Sequence, residues 1–145
     1  SNTKFHNVEE LKLVRGFEGK KFDLIRPYVS ALPEPTKINI NTAHALLLAS
    51  MDPKVDMKAL EQEIKAKQAN LTYFNNLDDL WKLNAFSGID EQSKTDAGSL
   101  MDVKSNYFTA QIDVLLSERK RQFTSSMARK DNHVIVYSRS LAPFN

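Results

Sequence analysis

The sequence predicts an α+β fold, with a helical segment first and a small antiparallel sheet after it. Three observations carry that prediction. Between Val8 and Leu83 apolar residues recur at helical spacing, and Gly and Pro cut the pattern into short helices. From Phe108 the spacing changes to every second residue, through Ala110, Ile112, Val114 and Leu116. Between the two patterns, residues 87–105 are polar, contain Gly88 and Gly98 and show no apolar period, which predicts a loop. The chain accordingly divides into a helical subdomain, 1–98, and a strand-forming one, 99–145.

The helical subdomain opens with Asn7, an N-cap residue type, ahead of Val8, Leu11 and Val14. Gly16 and Gly19 punctuate a turn. Phe22, Ile25 and Tyr28 or Val29 then mark the apolar face of a second helix, which Pro27 shortens or bends. Residues 31–37 hold Pro33 and Pro35 and are expected to be extended. Ile38 and Ile40 alternate as in a short extended segment, after which Asn41 or Thr42 caps a helix over 43–51. Asp52-Pro53 stops that helix. Asp56 caps the next, over 57–69, with Leu60, Ile64 and the stem of Lys67 facing inward. Asn76 starts a short helix through Leu83. Its first-turn acids suit the helix dipole, and Leu77, Leu80 and Trp81 pack.

The strand-forming part begins at Tyr107 with a half-buried strand to Leu116 and a charged turn over 118–121. A weaker strand covers 123–129, a turn uses Lys130-Asp131-Asn132, and a last strand covers 134–139. Three strands with one apolar face need a cover, which a helix preceding this segment would supply.

Composition narrows the function classes. Of 145 residues, 41% are hydrophobic and 26% charged, enough apolar surface to offset chain entropy. The net charge of +2 gives no strong field toward nucleic acid or anionic lipid. With no cysteine, disulfides, thiolate nucleophiles and Cys-based zinc sites are excluded. No apolar run here reaches membrane-spanning length, and no segment of these residues reads as a signal peptide. Ser1-Asn2 reads as a cleavage scar, so the chain is expected to be a trimmed piece of a longer protein.

A series of segments runs in order along the chain: Phe5–Leu11, Val14-Arg15-Gly16, Leu24–Val29 and Ala31-Leu32-Pro33. It continues with Ile38-Asn39-Ile40-Asn41-Thr42-Ala43, Ser105-Asn106-Tyr107-Phe108 and Met127-Ala128-Arg129 before the last strand. This series resembles the type II secretion protein K family, whose members are minor pseudopilins. The resemblance implies a SAM-like, helix-hairpin-helix-like subdomain inserted in a pilin-like fold, followed by the closing strands of that fold. It implies a non-enzymatic periplasmic domain of a Gram-negative protein, anchored in the inner membrane by an N-terminal helix missing here. The implied role is at the pseudopilus tip in protein export. Partners would be other minor pseudopilins and secreted substrate proteins, with no nucleic acid and no membrane contact except through that helix. Pro33, Ile38, Asn39, Ile40, Asn41, Thr42 and Ala43 would be the family's structural motif.

The same Ile38–Ala43 segment also resembles helix-hairpin-helix nucleic-acid-binding modules of the ComEA type. Such modules hold phosphate on free backbone N–H groups of a Gly-hydrophobic-Gly turn. Here the corresponding turn is Asp52-Pro53-Lys54-Val55-Asp56, without glycine and with two acids. Gly16-Phe17-Glu18-Gly19 has the glycines but an extra residue and an acid. Residues 1–98 hold 13 basic and 14 acidic side chains, so no basic face is expected there.

The remaining candidates are weaker. Arg119-Lys120-Arg121 reads as a solvated turn. His6, His44 and His133 lack zinc-site spacing, and no nucleophile elbow or phosphate-binding glycine loop occurs. Asp90, Glu91, Asp96 and Asp102 are low-ranking calcium candidates on the expected loop. The resemblance adds that pseudopilins often use calcium to order loops. No other cofactor is evident. The expected contact surface is the loop and helix start around 33–42.

Overall fold

A computed structural model describes residues 4–141; Ser1-Asn2 lies outside them. The chain forms two compact units that meet in sequence between Lys104 and Ser105. The boundary thus falls later than the expected 98/99. Residues 99–104 stay with the helical unit because Met101 is buried in its core and Met101–Asp102 pairs with Ile38–Asn39.

In the helical unit, Asn7 caps a 3-10 helix, Val8–Leu13, in a reciprocal capping box with Glu10. The short helix expected there takes the tighter 3-10 form, which is common in pieces this short. Gly19 holds φ +56 ahead of α1 (Lys20–Ile25), a conformation that an L-residue enters only with strain. Pro27 ends α1, and Arg26–Tyr28 finishes as a 3-10 turn. Phe22 is buried under the Lys12 ammonium, 4.5 Å from the ring centroid.

After the extended proline segment, β1 (Ile38–Asn39) pairs in parallel with β2 (Met101–Asp102). α2 (Ala45–Ala49) begins later than expected, with His44 at its N-cap and no side-chain cap. α3 (Met57–Ala69) falls where the sequence put it: Asp56 accepts from the N–H groups of Lys58 and Ala59, both at 3.0 Å. Beyond α3 the chain closes a Schellman turn. Thr72 donates to Lys67 at 2.9 Å and Leu71 to Gln68 at 3.1 Å, with Leu71 at φ +52. α4 (Leu77–Trp81) is capped by Asn76 and leads to a 3-10 turn, Asn84–Phe86.

The expected loop over 87–105 is instead a helix and a strand, α5 (Glu91–Ser99) and β2. α5 is polar along its length, so its sequence carries no apolar period. Asp90 caps it, and Gly98 lets the helix approach Leu77 and Trp81. A Cβ at Gly98 would stand 3.7 Å from carbons of each. The core of the unit gathers Ile40, Leu48, Leu60, Phe74, Leu80, Phe86 and Met101.

The second unit is an antiparallel meander, β3 (Tyr107–Leu116), β4 (Arg119–Lys130) and β5 (His133–Leu141), in that spatial order. The first turn is Ser117-Glu118, both at positive φ, rather than the expected 118–121. Arg119, Lys120 and Arg121 therefore belong to β4. Asp131, at φ +52, makes the second turn with Asn132. The register puts Phe108, Met127 and Val136 side by side, and likewise Ile112, Phe123 and Leu141. β3 is half-buried only at its start. Ile112 is 48% and Leu116 73% exposed, so the apolar face opens outward along the rest of the strand.

Candidate functional site

The motif segment forms a knot of hydrogen bonds centred on Asn41. The Asn41 side-chain oxygen accepts from the Phe74 N–H at 2.8 Å. Its amide nitrogen donates to the carbonyls of Phe74 at 3.1 Å and Val103 at 3.3 Å. One side chain thereby ties the turn before α2 to the segment before α4 and to the strand end after β2. Asn41 is thus a long-range tie rather than the expected helix cap. Asn39 acts locally: its side-chain oxygen accepts from Asn41 N–H at 2.9 Å, and its carbonyl from Thr42 and Ala43. Ile38 and Ile40 complete the ladder, donating to the carbonyls of Leu100 and Asp102. Ile40 is buried, and Ala43 packs against the core. Thr42 is exposed, its hydroxyl near the Asn39 carbonyl.

Immediately upstream, Pro33, Glu34 and Pro35 are exposed. With Phe5 and Leu32 they line a shallow cleft of about 370 Å³. The extended proline segment therefore offers a fixed surface whose far end is anchored by the Asn41 knot.

The turn between α2 and α3 is unsuited to phosphate. The N–H groups that would grip an anion at the start of α3 are already held by the Asp56 carboxylate. Asp52 accepts the Lys54 N–H at 2.8 Å in the same turn. A phosphate would have to displace two carboxylates and then sit between them.

Asp52 also forms a link to α5. The Lys54 backbone N–H first, and the Ser93 hydroxyl second, hold its carboxyl below the ordinary aspartate range. Asp90 is lowered likewise, first by the Ser93 N–H and then by the Lys54 ammonium at 3.3 Å.

The four calcium candidates do not converge. Asp90 caps α5, Glu91 pairs with Lys94, Asp96 accepts from Gln92, and Asp102 accepts from Val103 N–H. Among the described residues no three His, Asp or Glu side chains stand ready to hold a metal. This set does not fit a single calcium site. His44 stacks edge-on with Tyr28 at 5.4 Å. Lys120 pairs with Asp113 at 3.6 Å across the β3–β4 hairpin. No helix among the described residues is long and apolar enough to cross a membrane.

Two features went unread in the sequence. Glu63 on α3 reaches forward and accepts the N–H groups of Asn84 and Ala85, at 3.0 and 3.3 Å, capping the 3-10 turn from outside. Leu71 and Tyr73 stand exposed on the loop after α3. The available signal for Leu71 was its place one residue past a cap, where Gly or Asn is usual.

A family model described as type II secretion system protein K matches residues 38–103. Those limits coincide with the knot, from β1 to the Val103 carbonyl held by Asn41. The chain is 32% identical over 142 residues to the type II secretion system protein K of Pseudomonas aeruginosa, covering 97% of this chain and 40% of that protein. It is similar in structure to a chain of the GspK–GspI–GspJ complex from the type 2 secretion system of enterotoxigenic Escherichia coli. The TM-score is 0.69 at 21% identity, over 98% of this chain and 50% of that one. The α+β pilin-like fold is therefore shared, and the chain spans at most half the length of these relatives.

Proposed function

We propose that the chain belongs to the protein K family of type II secretion systems and is part of a minor pseudopilin acting at the pseudopilus tip in protein export. It works by contact with other polypeptides and not by catalysis. Its place is the periplasm, carried by a protein anchored in the inner membrane. The partners are other minor pseudopilins, as the E. coli relative is in complex with GspI and GspJ. Secreted proteins are a second class of partner.

The observation that carries this reading is the open apolar face of the β3–β5 sheet, next in sequence to a helical unit that resembles protein K throughout. Ile112, Val114, Leu116 and Val136 are too exposed for a sheet face that stands alone. A helix supplied from elsewhere in the full-length protein covers such a face, and that helix would be the anchor. The nucleic-acid reading is not favoured, because Asp56 occupies the donors it needs.

The test is export in the host. Loss of the full-length protein should stop appearance of the secreted enzymes outside the cell, and the wild-type protein should restore it. Unchanged export would refute the assignment.

A further inference from the structure

Burial does little to hold α5 in place. Its residues are exposed or half-buried, with Ala97 packed against the core. α3, by contrast, buries Leu60 outright and packs Ile64. Ser93, Thr95, Asp96, Gly98 and Ser99 are weak helix formers, and nine residues fall short of the about 12–15 that an isolated helix needs.

What fastens α5 is a crossed set of hydrogen bonds at its start. Asp52, in the turn before α3, and Asp90, the N-cap of α5, draw on the same two residues. Lys54 gives its backbone N–H to Asp52 at 2.8 Å and its ammonium to Asp90 at 3.3 Å. Ser93 gives its backbone N–H to Asp90 at 2.8 Å and its hydroxyl to Asp52. Each carboxylate thus binds one donor from its own segment and one from the other. The two segments part only when both cross-links break. Gly88 permits the close approach, since a Cβ there would stand 3.4 Å from the Lys54 carbonyl oxygen. The clasp is nevertheless open to solvent at Lys54 and Asp90, where water replaces an ion pair at small cost.

On either side of α5 the chain is fixed by contacts that its side chains do not make. Ile89 is buried before it and Met101 after it. The Ile38 and Ile40 N–H groups hold the Leu100 and Asp102 carbonyls, and Asn41 holds that of Val103. Between these fixed points α5 lies on α4, with Gly98 against Leu77 and Trp81.

We propose that α5 is a latched lid: residues 90–99 lift from α4 as one piece, uncovering Leu77 and Trp81, while the rest of the helical unit stays folded. The Asp52–Lys54–Asp90–Ser93 clasp is the catch. Gly98 sets how closely the lid lies on α4.

Native-state hydrogen exchange of the chain tests this, together with acrylamide quenching of Trp81, its one tryptophan. In the wild-type chain α5 amides should exchange about tenfold or more faster than α3 amides, relative to their intrinsic rates. That exchange should depend little on low urea, because lifting the lid exposes little surface. Asp90→Ala removes the cap and one cross-link, so α5 exchange should speed up about tenfold and Trp81 should be quenched more readily. Gly98→Ala adds a methyl at ordinary contact distance, 3.7 Å from Leu77 and Trp81 carbons, and a better helix former. It should slow α5 exchange about fivefold. The α3 amides should hold their rates in both variants. Exchange of α5 in step with α3 in the wild-type chain, or an equal shift of both helices in either variant, overturns the lid.

Discussion

The Asn41 amide satisfies three backbone groups from two segments distant in sequence. Removing it strands partly buried donors and acceptors, so Asn41→Ala should cost about 2–3 kcal/mol in urea unfolding. Asp56→Ala removes only a cap and should cost about 1 kcal/mol. The two aspartates at the α5 junction make a different prediction. Both are held below the usual carboxylate range in the folded chain, by the N–H groups of Lys54 and Ser93 first of all. A carboxyl lowered on folding gives stability that is full above its unfolded pKa and lost as pH falls through the folded value. The urea midpoint should therefore stay level down to the ordinary aspartate range and drop in more acid solution. Asp52→Asn should flatten part of that drop. Sequence alone singled out Asn39 and Asn41 as scaffold. It could not show that Asn41 reaches Phe74 and Val103, because those contacts depend on tertiary placement.

At the level of elements, legibility followed local signals. α3 was readable to its ends because Asp56 caps it and Leu60 and Ile64 mark its inner face. The β3–β4–β5 meander was readable from alternation. α5 was not, since a polar nine-residue helix is held by its Asp90 cap and by packing at Gly98, not by an apolar stripe. β2 is two residues long and exists only because β1 lies beside it. The first hairpin turn was displaced because a two-residue turn with positive φ is usually marked by Asn-Gly, and Ser117-Glu118 carries no such mark. That mismatch is testable. Replacing Ser117-Glu118 by Asn-Gly should stabilise the chain by about 1 kcal/mol in denaturant unfolding.

Across the whole molecule, the two units differ in what their apolar residues do. Met101 is buried and joins β2 to the helical core, so Met101→Ala should cost about 2–5 kcal/mol. Ile112 lies on the open sheet face, so Ile112→Lys should change stability of this chain by under about 0.5 kcal/mol. In the full-length protein, where we propose that a helix covers this face, the same substitution should be strongly harmful. Helical scaffold and open sheet both suit docking to polypeptide. Sedimentation of the purified chain with the periplasmic domains of the proposed minor-pseudopilin partners measures this directly. The account predicts a faster boundary than any component alone, at low and at high salt. The chain sedimenting alone in that mixture, while duplex DNA carries it to a faster boundary at low salt, would contradict it.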